Sequence, residues 1–388
     1  MSAPLVRGVR WGAVEAGLRK RGGLDLGVVL CERPTSAAAV FTRCQAAAAP
    51  VVLSRARVRA GKIRAILVNA GCANACVPDG EETARRCTAA LARSLGARDA
   101  EVLVASTGVI GARLLADRLC AAVPALVAAA RPDGLPEFAR AIMTTDTVPK
   151  VATRTLGDVT VAGCAKGAGM IMPDMATMLG FLATDAFVTP ARLRAILREV
   201  AHESFNAVTV DGDTSTNDSL FLLATGAAGK ALSASGERRL QTALTEVAVS
   251  LARAIARDGE GATKRIEVSV EGAPSVRAAD AVARRIANSP LVKTAISAAD
   301  ANWGRIVAAA GTAGVRFDPA RLEVRIGDAV VARRGVATDA AAEAAATEHL
   351  RGDDVRLSVR LGNGRARRTV WTCDLTADYV RINADYRS

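Results

Sequence analysis

The sequence predicts a mixed α+β fold, and three observations carry that reading. Residues 65–69 and 102–105 are short apolar runs that end in small-residue loops, as buried strands do. A capped amphipathic helix opens at Thr189-Pro190. Apolar and polar residues alternate over 322–332 and 355–361. Strands and helices do not follow each other with the regular rhythm of βαβ units, so a doubly wound sheet is not expected.

Taken in chain order, residues 1–7 lack the apolar core of a signal peptide. The Ala-rich stretch 121–130 contains Pro124 and is about half the length needed to cross a bilayer. No membrane span is expected. In the helix opening at Thr189, Leu193, Ile196, Leu197 and Val200 share one face. A second helix is expected to start near Glu237, just after Gly236. It carries the stripe Leu240, Leu244, Val247, Leu251 and Ile255 and stops at Asp258-Gly259. Near the C-terminus, 322–332 reads as a strand. The turn Leu361-Gly362-Asn363-Gly364 then predicts that 369–375 returns along 355–361 as a hairpin. There is no internal repeat and no low-complexity linker.

The chain has 388 residues, which suggests about two domains. Aromatics are only 3% against 50% hydrophobic residues, so Ala, Val, Leu and Ile must build the cores. The net charge is +12, and seven of the 51 basic residues are lysine. These residues are scattered, no run reaches five, and no aromatic ladder accompanies them. The pattern suits an acidic small molecule better than nucleic acid, and no nucleic-acid partner is expected. The 8 cysteines form no C-x-x-C pair and fit reduced, buried positions in a cytoplasmic protein. Only two histidines, His202 and His349, are present, and each reads as a surface or packing residue. A multi-His metal site is thereby excluded, no metal is expected, and a catalytic base must come from elsewhere.

Familiar motifs are absent. Gly167-x-Gly169 is followed by Met172 where a dinucleotide fingerprint needs its third glycine. The stretch opening Asp211-Gly212-Asp213 has Thr216 and Leu222 where a calcium loop needs Gly and Glu. No phosphate loop and no G-x-S-x-G elbow occur. The densest remaining signal is residues 166–179, Gly- and Met-rich, with Lys166 and Thr177. On its own this block reads as a buried loop.

Several blocks in order make a wider pattern: Ser106-Thr107-Gly108-Val109-Ile110-Gly111, Met143-Thr144-Thr145-Asp146-Thr147, residues 166–179, and residues 210–218. Residues 258–264, 287–294, Asn302-Trp303-Gly304-Arg305-Ile306 and 382–388 complete it. With these blocks the chain resembles the ArgJ family, the glutamate N-acetyltransferases (ornithine acetyltransferases) of arginine biosynthesis. The resemblance implies a layered α-β-β-α sandwich of the ArgJ/DmpA kind with a smaller C-terminal α/β part. It implies self-cleavage between Ala176 and Thr177, giving an alpha chain 1–176 and a beta chain 177–388. Two copies of each would assemble into a heterotetramer.

Thr177 would then carry both a hydroxyl nucleophile and its own α-amine, whose ordinary pKa of about 7.7–8.0 suits a general base. Thr107 and Gly108 would form the oxyanion hole. Thr144 or Thr145, Lys166, Thr177, Glu260, Asn383 and Ser388 would bind substrate, with Glu260 the natural partner of an ammonium. The implied substrates are N2-acetylornithine and glutamate, in a ping-pong transfer without a cofactor. Whether acetyl-CoA also serves as co-substrate is left open. The chain departs from the family pattern at Asp174 and Cys72, where Asn is usual, and at Ser388, where Thr is common. The charge of Asp174 could alter the rate of cleavage. The alternative reading is another self-processed N-terminal-nucleophile enzyme, an amidase or aminopeptidase.

Overall fold

The computed structural model describes residues 4–20, 22–172, 178–229 and 231–385. They fall into two compact units. The first lies within Met1–Asn206 and Thr214–Ile255, the second within Ala207–Asp213 and Ala256–Arg387.

The first unit is built on β1 (Val9–Val14), β2 (Leu26–Phe41), β3 (Lys62–Cys72), β4 (Val102–Val109), β5 (Lys150–Leu156), β6 (Val159–Lys166), β7 (Leu179–Thr184) and β8 (Ser219–Ala224). These make one mixed sheet in the order β4-β3-β2-β8-β7-β6-β5, with β1 beside β2. The pairs β3–β4 and β7–β8 are parallel, and the others are antiparallel. The helices are α1 (Ala49–Arg57), α2 (Gly80–Leu95), α3 (Ala116–Ala129), α4 (Leu135–Ala141), α5 (Pro190–Glu203) and α6 (Ala234–Arg257).

Both faces of this sheet are covered. Ala65 and Leu67 of β3 pack with Leu91 of α2 and with Leu119 and Val123 of α3. Ile66 and Val68 pack on the other side with Trp11 and with Phe138 of α4. A strand buried on two faces needs no alternation, which is why 65–69 reads as a continuous apolar run. The few aromatics are concentrated here: Phe138 lies 5.2 Å from Trp11 and 5.0 Å from Phe181, which stacks on Phe221.

The helix expected at Thr189 is α5, with the Thr189 hydroxyl accepting the Arg192 N–H. The four residues on its expected apolar face are buried. The next helix, α6, starts at Ala234 rather than near Glu237. The Ser233 hydroxyl accepts the Gly236 N–H, so Gly236 lies inside the first turn.

The second unit holds β9 (Arg265–Ala273), β10 (Glu323–Ile326), β11 (Ala329–Arg333), β12 (Val336–Ala337), β13 (Asp354–Arg360) and β14 (Ala366–Cys373). Its helices are α7 (Val276–Ala287), α8 (Pro290–Ser297), α9 (Trp303–Gly311), α10 (Ala340–Leu350) and α11 (Ala377–Asp385). The sheet order is β12-β11-β10-β13-β9-β14. Two expectations change. The run 322–332 is two strands joined at Gly327, whose φ of +62° makes the turn. The hairpin of 355–361 with 369–375 does not form, because β9 lies between β13 and β14. The linking segment crosses the end of β9, with Leu361 N–H donating to the Glu271 carbonyl and Gly364 N–H to that of Gly272. The mixed α/β class itself is as the sequence predicts.

No described helix is long and apolar enough to cross a membrane. All eight cysteines are free thiols.

Candidate active site

In the first unit the polar residues gather where β3 and β4 end side by side. Thr107 is buried, and Gly108 sits opposite Gly71 across the parallel pair. Gly108 has φ +127°, and a Cβ there would come 2.3 Å from the Gly71 carbonyl carbon. Only glycine fits. A buried network holds this strand end. Ser106 Oγ donates to Asn69 Oδ1 at 2.6 Å, and Asn69 Nδ2 donates to the Cys72 carbonyl at 2.9 Å. Asn217 Nδ2 donates to the carbonyls of Ala73 (2.6 Å) and Ser106 (2.9 Å). The peptide leading into Thr107 is thus fixed from two sides.

Lys166 ends β6 and is buried. Nearby, the Asp146 carboxylate takes three donors. Oδ1 accepts Lys150 Nζ at 2.7 Å and the Gly167 N–H at 2.6 Å, while Oδ2 accepts the Thr144 N–H at 3.0 Å. Burial pushes the Asp146 carboxyl up, but Lys166, Lys150 and the Gly167 N–H outweigh it and hold it at about 2. Thr144 and Thr145 are both half-buried, so burial does not choose between them.

Asp218 immediately precedes β8 and is buried. Burial raises its carboxyl well above the usual range, despite the Ser215 hydrogen bonds and the nearby Lys166 charge. Its Oδ2 has no hydrogen-bond partner among the described residues. The Ser219 N–H donates to the Met178 carbonyl at 2.9 Å, and Thr214 Oγ1 donates to that of Met172 at 2.8 Å. Ala176 and Thr177, the expected cleavage point and nucleophile, and Asp174 lie outside the described residues. Ser388 lies outside them too.

The second unit brings Glu260 and Asn383 together. Asn383 Nδ2 donates to Glu260 Oε2 at 2.8 Å. Helix α11 can approach because Gly261 has φ +68° and no Cβ, which would otherwise meet the Tyr379 nitrogen at 2.4 Å. The Tyr379 hydroxyl donates to Asp211 Oδ2 at 3.4 Å. Burial, Asp211 and Glu260 push that phenol up.

The matching lysines of the later blocks have structural partners. Lys264 Nζ donates to the Ile296 carbonyl of α8 (2.8 Å) and the Leu350 carbonyl of α10 (2.6 Å). Lys293 Nζ donates to the Val210 carbonyl. Both histidines lie in helices, and His349 Nε2 accepts the Arg356 N–H at 2.9 Å. Among the described residues no three His, Cys, Asp or Glu side chains are grouped to hold a metal.

The family assignment rests on the whole chain. The ArgJ family model matches residues 10–388. The chain belongs to the ArgJ family. A relative from Geobacter sulfurreducens, the arginine biosynthesis bifunctional protein ArgJ, is 48% identical over 99% of this chain and 100% of its own length. The protein of that name from Rhizobium meliloti is also 48% identical, over 99% of this chain and 96% of its own. The crystal structure of the arginine biosynthesis bifunctional protein ArgJ from Bacillus halodurans matches with a TM-score of 0.52 at 44% identity. That match covers 54% of this chain and 100% of the other.

In this ArgJ-family chain the sequence alone suggests no role for Asp146, Lys150, Asn69, Asn217 or Asp218, although Asp146, Asn217 and Asp218 lie within the blocks shared with the family pattern. Polar residues flanked by small ones in an otherwise apolar stretch were the available signal, since burial there demands partners.

Proposed function

We propose that this chain is a self-processing glutamate N-acetyltransferase, carrying acetyl from N2-acetylornithine to glutamate in arginine biosynthesis. The observation that carries the reading is the match to the ArgJ family over residues 10–388. The fixed Thr107–Gly108 strand end and the buried Lys166 give it physical support.

In this reading Thr177 Oγ first attacks the Ala176 carbonyl. The Ala176–Thr177 C–N bond breaks, which frees the Thr177 α-amine and leaves an ester, and water then hydrolyses that ester to the Ala176 carboxylate and the Thr177 hydroxyl. In catalysis that amine takes the proton from Oγ as Oγ attacks the acetyl carbonyl of N2-acetylornithine. The Thr107 hydroxyl and the Gly108 N–H hold the developing oxyanion, each such donor being worth about 2.7–4 kcal/mol. Ornithine leaves with the proton, and an acetyl ester remains on Thr177. The amine of glutamate then attacks the ester, and N-acetylglutamate departs. Lys166 and Thr144 or Thr145 face the substrate carboxylate. Glu260, with Asn383, takes an ammonium, and Ser388 adds a hydroxyl.

The chemistry needs no cofactor, and whether acetyl-CoA is a second acetyl donor is a question for assay. The enzyme works in the cytoplasm as two alpha (1–176) and two beta (177–388) chains. The test is a product assay. With acetylornithine and glutamate, N-acetylglutamate should accumulate in step with ornithine. Release of free acetate instead would make the protein a hydrolase and end this reading. Glutamate with acetyl-CoA alone tests the second donor.

A further inference from the structure

Asp146 is the point at which two separate stretches of chain meet. Its Oδ2 holds the backbone of Thr144, just after α4, and its Oδ1 holds the Gly167 N–H, just after β6. Both stretches contain residues that the proposed function assigns to substrate, Thr144 or Thr145 in one and Lys166 in the other. The β5–β6 ladder brings them side by side as far as the Lys150–Ala165 pair, but it does not extend to Thr144 or Gly167. The carboxylate supplies the tie. The third donor, Lys150, begins β5 and is itself buried, with 1% side-chain exposure against 0% for Asp146. An ion pair so far from water is an expensive way merely to fill space. Gly167, at φ +149°, turns directly after Lys166, so holding its N–H fixes the direction in which the Lys166 strand ends.

We propose that Asp146 is a positioning residue for the substrate site. Its carboxylate fixes the Lys166–Gly167 turn and the Thr144–Thr145 segment at one mutual geometry, with Lys150 as its counter-charge. The inference rests on the reading that Lys166 and Thr144 or Thr145 contact substrate.

Three variants of the full chain test it, each assayed for KM, kcat and thermal midpoint. Asp146→Asn keeps the shape but places an amide donor against N–H or ammonium donors. It should raise KM for the carboxylate substrate about tenfold or more, with the smaller effect on kcat. Lys150→Met removes the ion pair but leaves Asp146 its Gly167 and Thr144 bonds. It should lower the thermal midpoint and leave KM within about twofold. A purely structural Asp146 would make the two variants alike, each losing midpoint with KM unchanged, and that result overturns the proposal. Lys166→Met separates the layers. If it raises KM while Asp146→Asn does not, the positioning role alone fails. If it leaves KM unchanged, Lys166 does not contact substrate and the reading beneath the inference fails with it. Should Asp146→Asn be recovered unfolded, Asp146→Glu carries the test. It keeps the charge and shifts it by one methylene, so a raised KM supports the proposal and an unchanged KM overturns it.

Discussion

Two buried aspartates near Lys166 have opposite electrostatic fates. Asp146 has three donors and is held at about 2, below the ordinary value of about 3.9. Its folded-state pKa is depressed, so its contribution to stability is present above about pH 4 and is lost as pH falls toward 2. Asp218 is raised, with burial the leading cause. For a raised carboxyl, stability is fully present below about pH 4 and declines as pH rises through the folded value, because the unfolded chain ionises first. Asp218→Asn removes that penalty. It should raise the urea midpoint at pH 7 by more than at pH 4. Equal loss at both pH values would show that the carboxylate is ionised and paired. A sequence shows neither fate, since both residues are simply Asp beside Thr or Asn. The sequence shows a glycine at 108 but not why it must be one: the Gly71 backbone facing it belongs to a parallel pairing of strands some 37 positions apart.

At the scale of elements, the sheet order puts β2 and β3 between β4 and β8, yet the Asn217 side chain bridges from the entry of β8 to the end of β4. It also reaches the turn after β3 through the Ala73 carbonyl. One amide therefore ties the proposed oxyanion strand to the strand paired with β7, which begins two residues after Thr177 in the chain. Asn217→Ala withdraws two buried hydrogen bonds and should cost about 1–3 kcal/mol of stability for each carbonyl left without its donor. Urea unfolding would measure it, and a change within about 0.5 kcal/mol would mean that other groups already satisfy those carbonyls. Local signals found the strands and helices well: β3, β4, α5 and the α6 stripe all follow from periodicity and capping. They failed where pairing is non-local. The turn at 361–364 looks like a hairpin from its own residues, and nothing in it reveals that β9 takes the place beside β13.

Across the whole molecule, length suggested two domains, and the structure contains two compact units. Their boundaries lie near 206 and 255 rather than at the expected cleavage point, because compact packing and a processing site answer to different physics. The scarcity of histidine was the most informative count, with only two in 388 residues. Both lie in helices, and His349 accepts a backbone N–H. A proposed base made by cleavage, the Thr177 α-amine, is the chemistry that such a composition accommodates. The proposed site is therefore legible through the sequence blocks and the family, whereas the polar groups that support it depend on non-local pairing.

The proposed function stands or falls on Thr177, once freed, carrying the acetyl group. The decisive measurement is the intact mass of the purified protein's fragments after brief incubation with N2-acetylornithine and rapid acid quench. A fragment beginning at Thr177 should gain the mass of one acetyl group and lose it when glutamate is added. Thr177→Ala should give a single uncut chain with no adduct. A fully active enzyme that proves to be uncut, or one whose Thr177 fragment never gains acetyl, would contradict it.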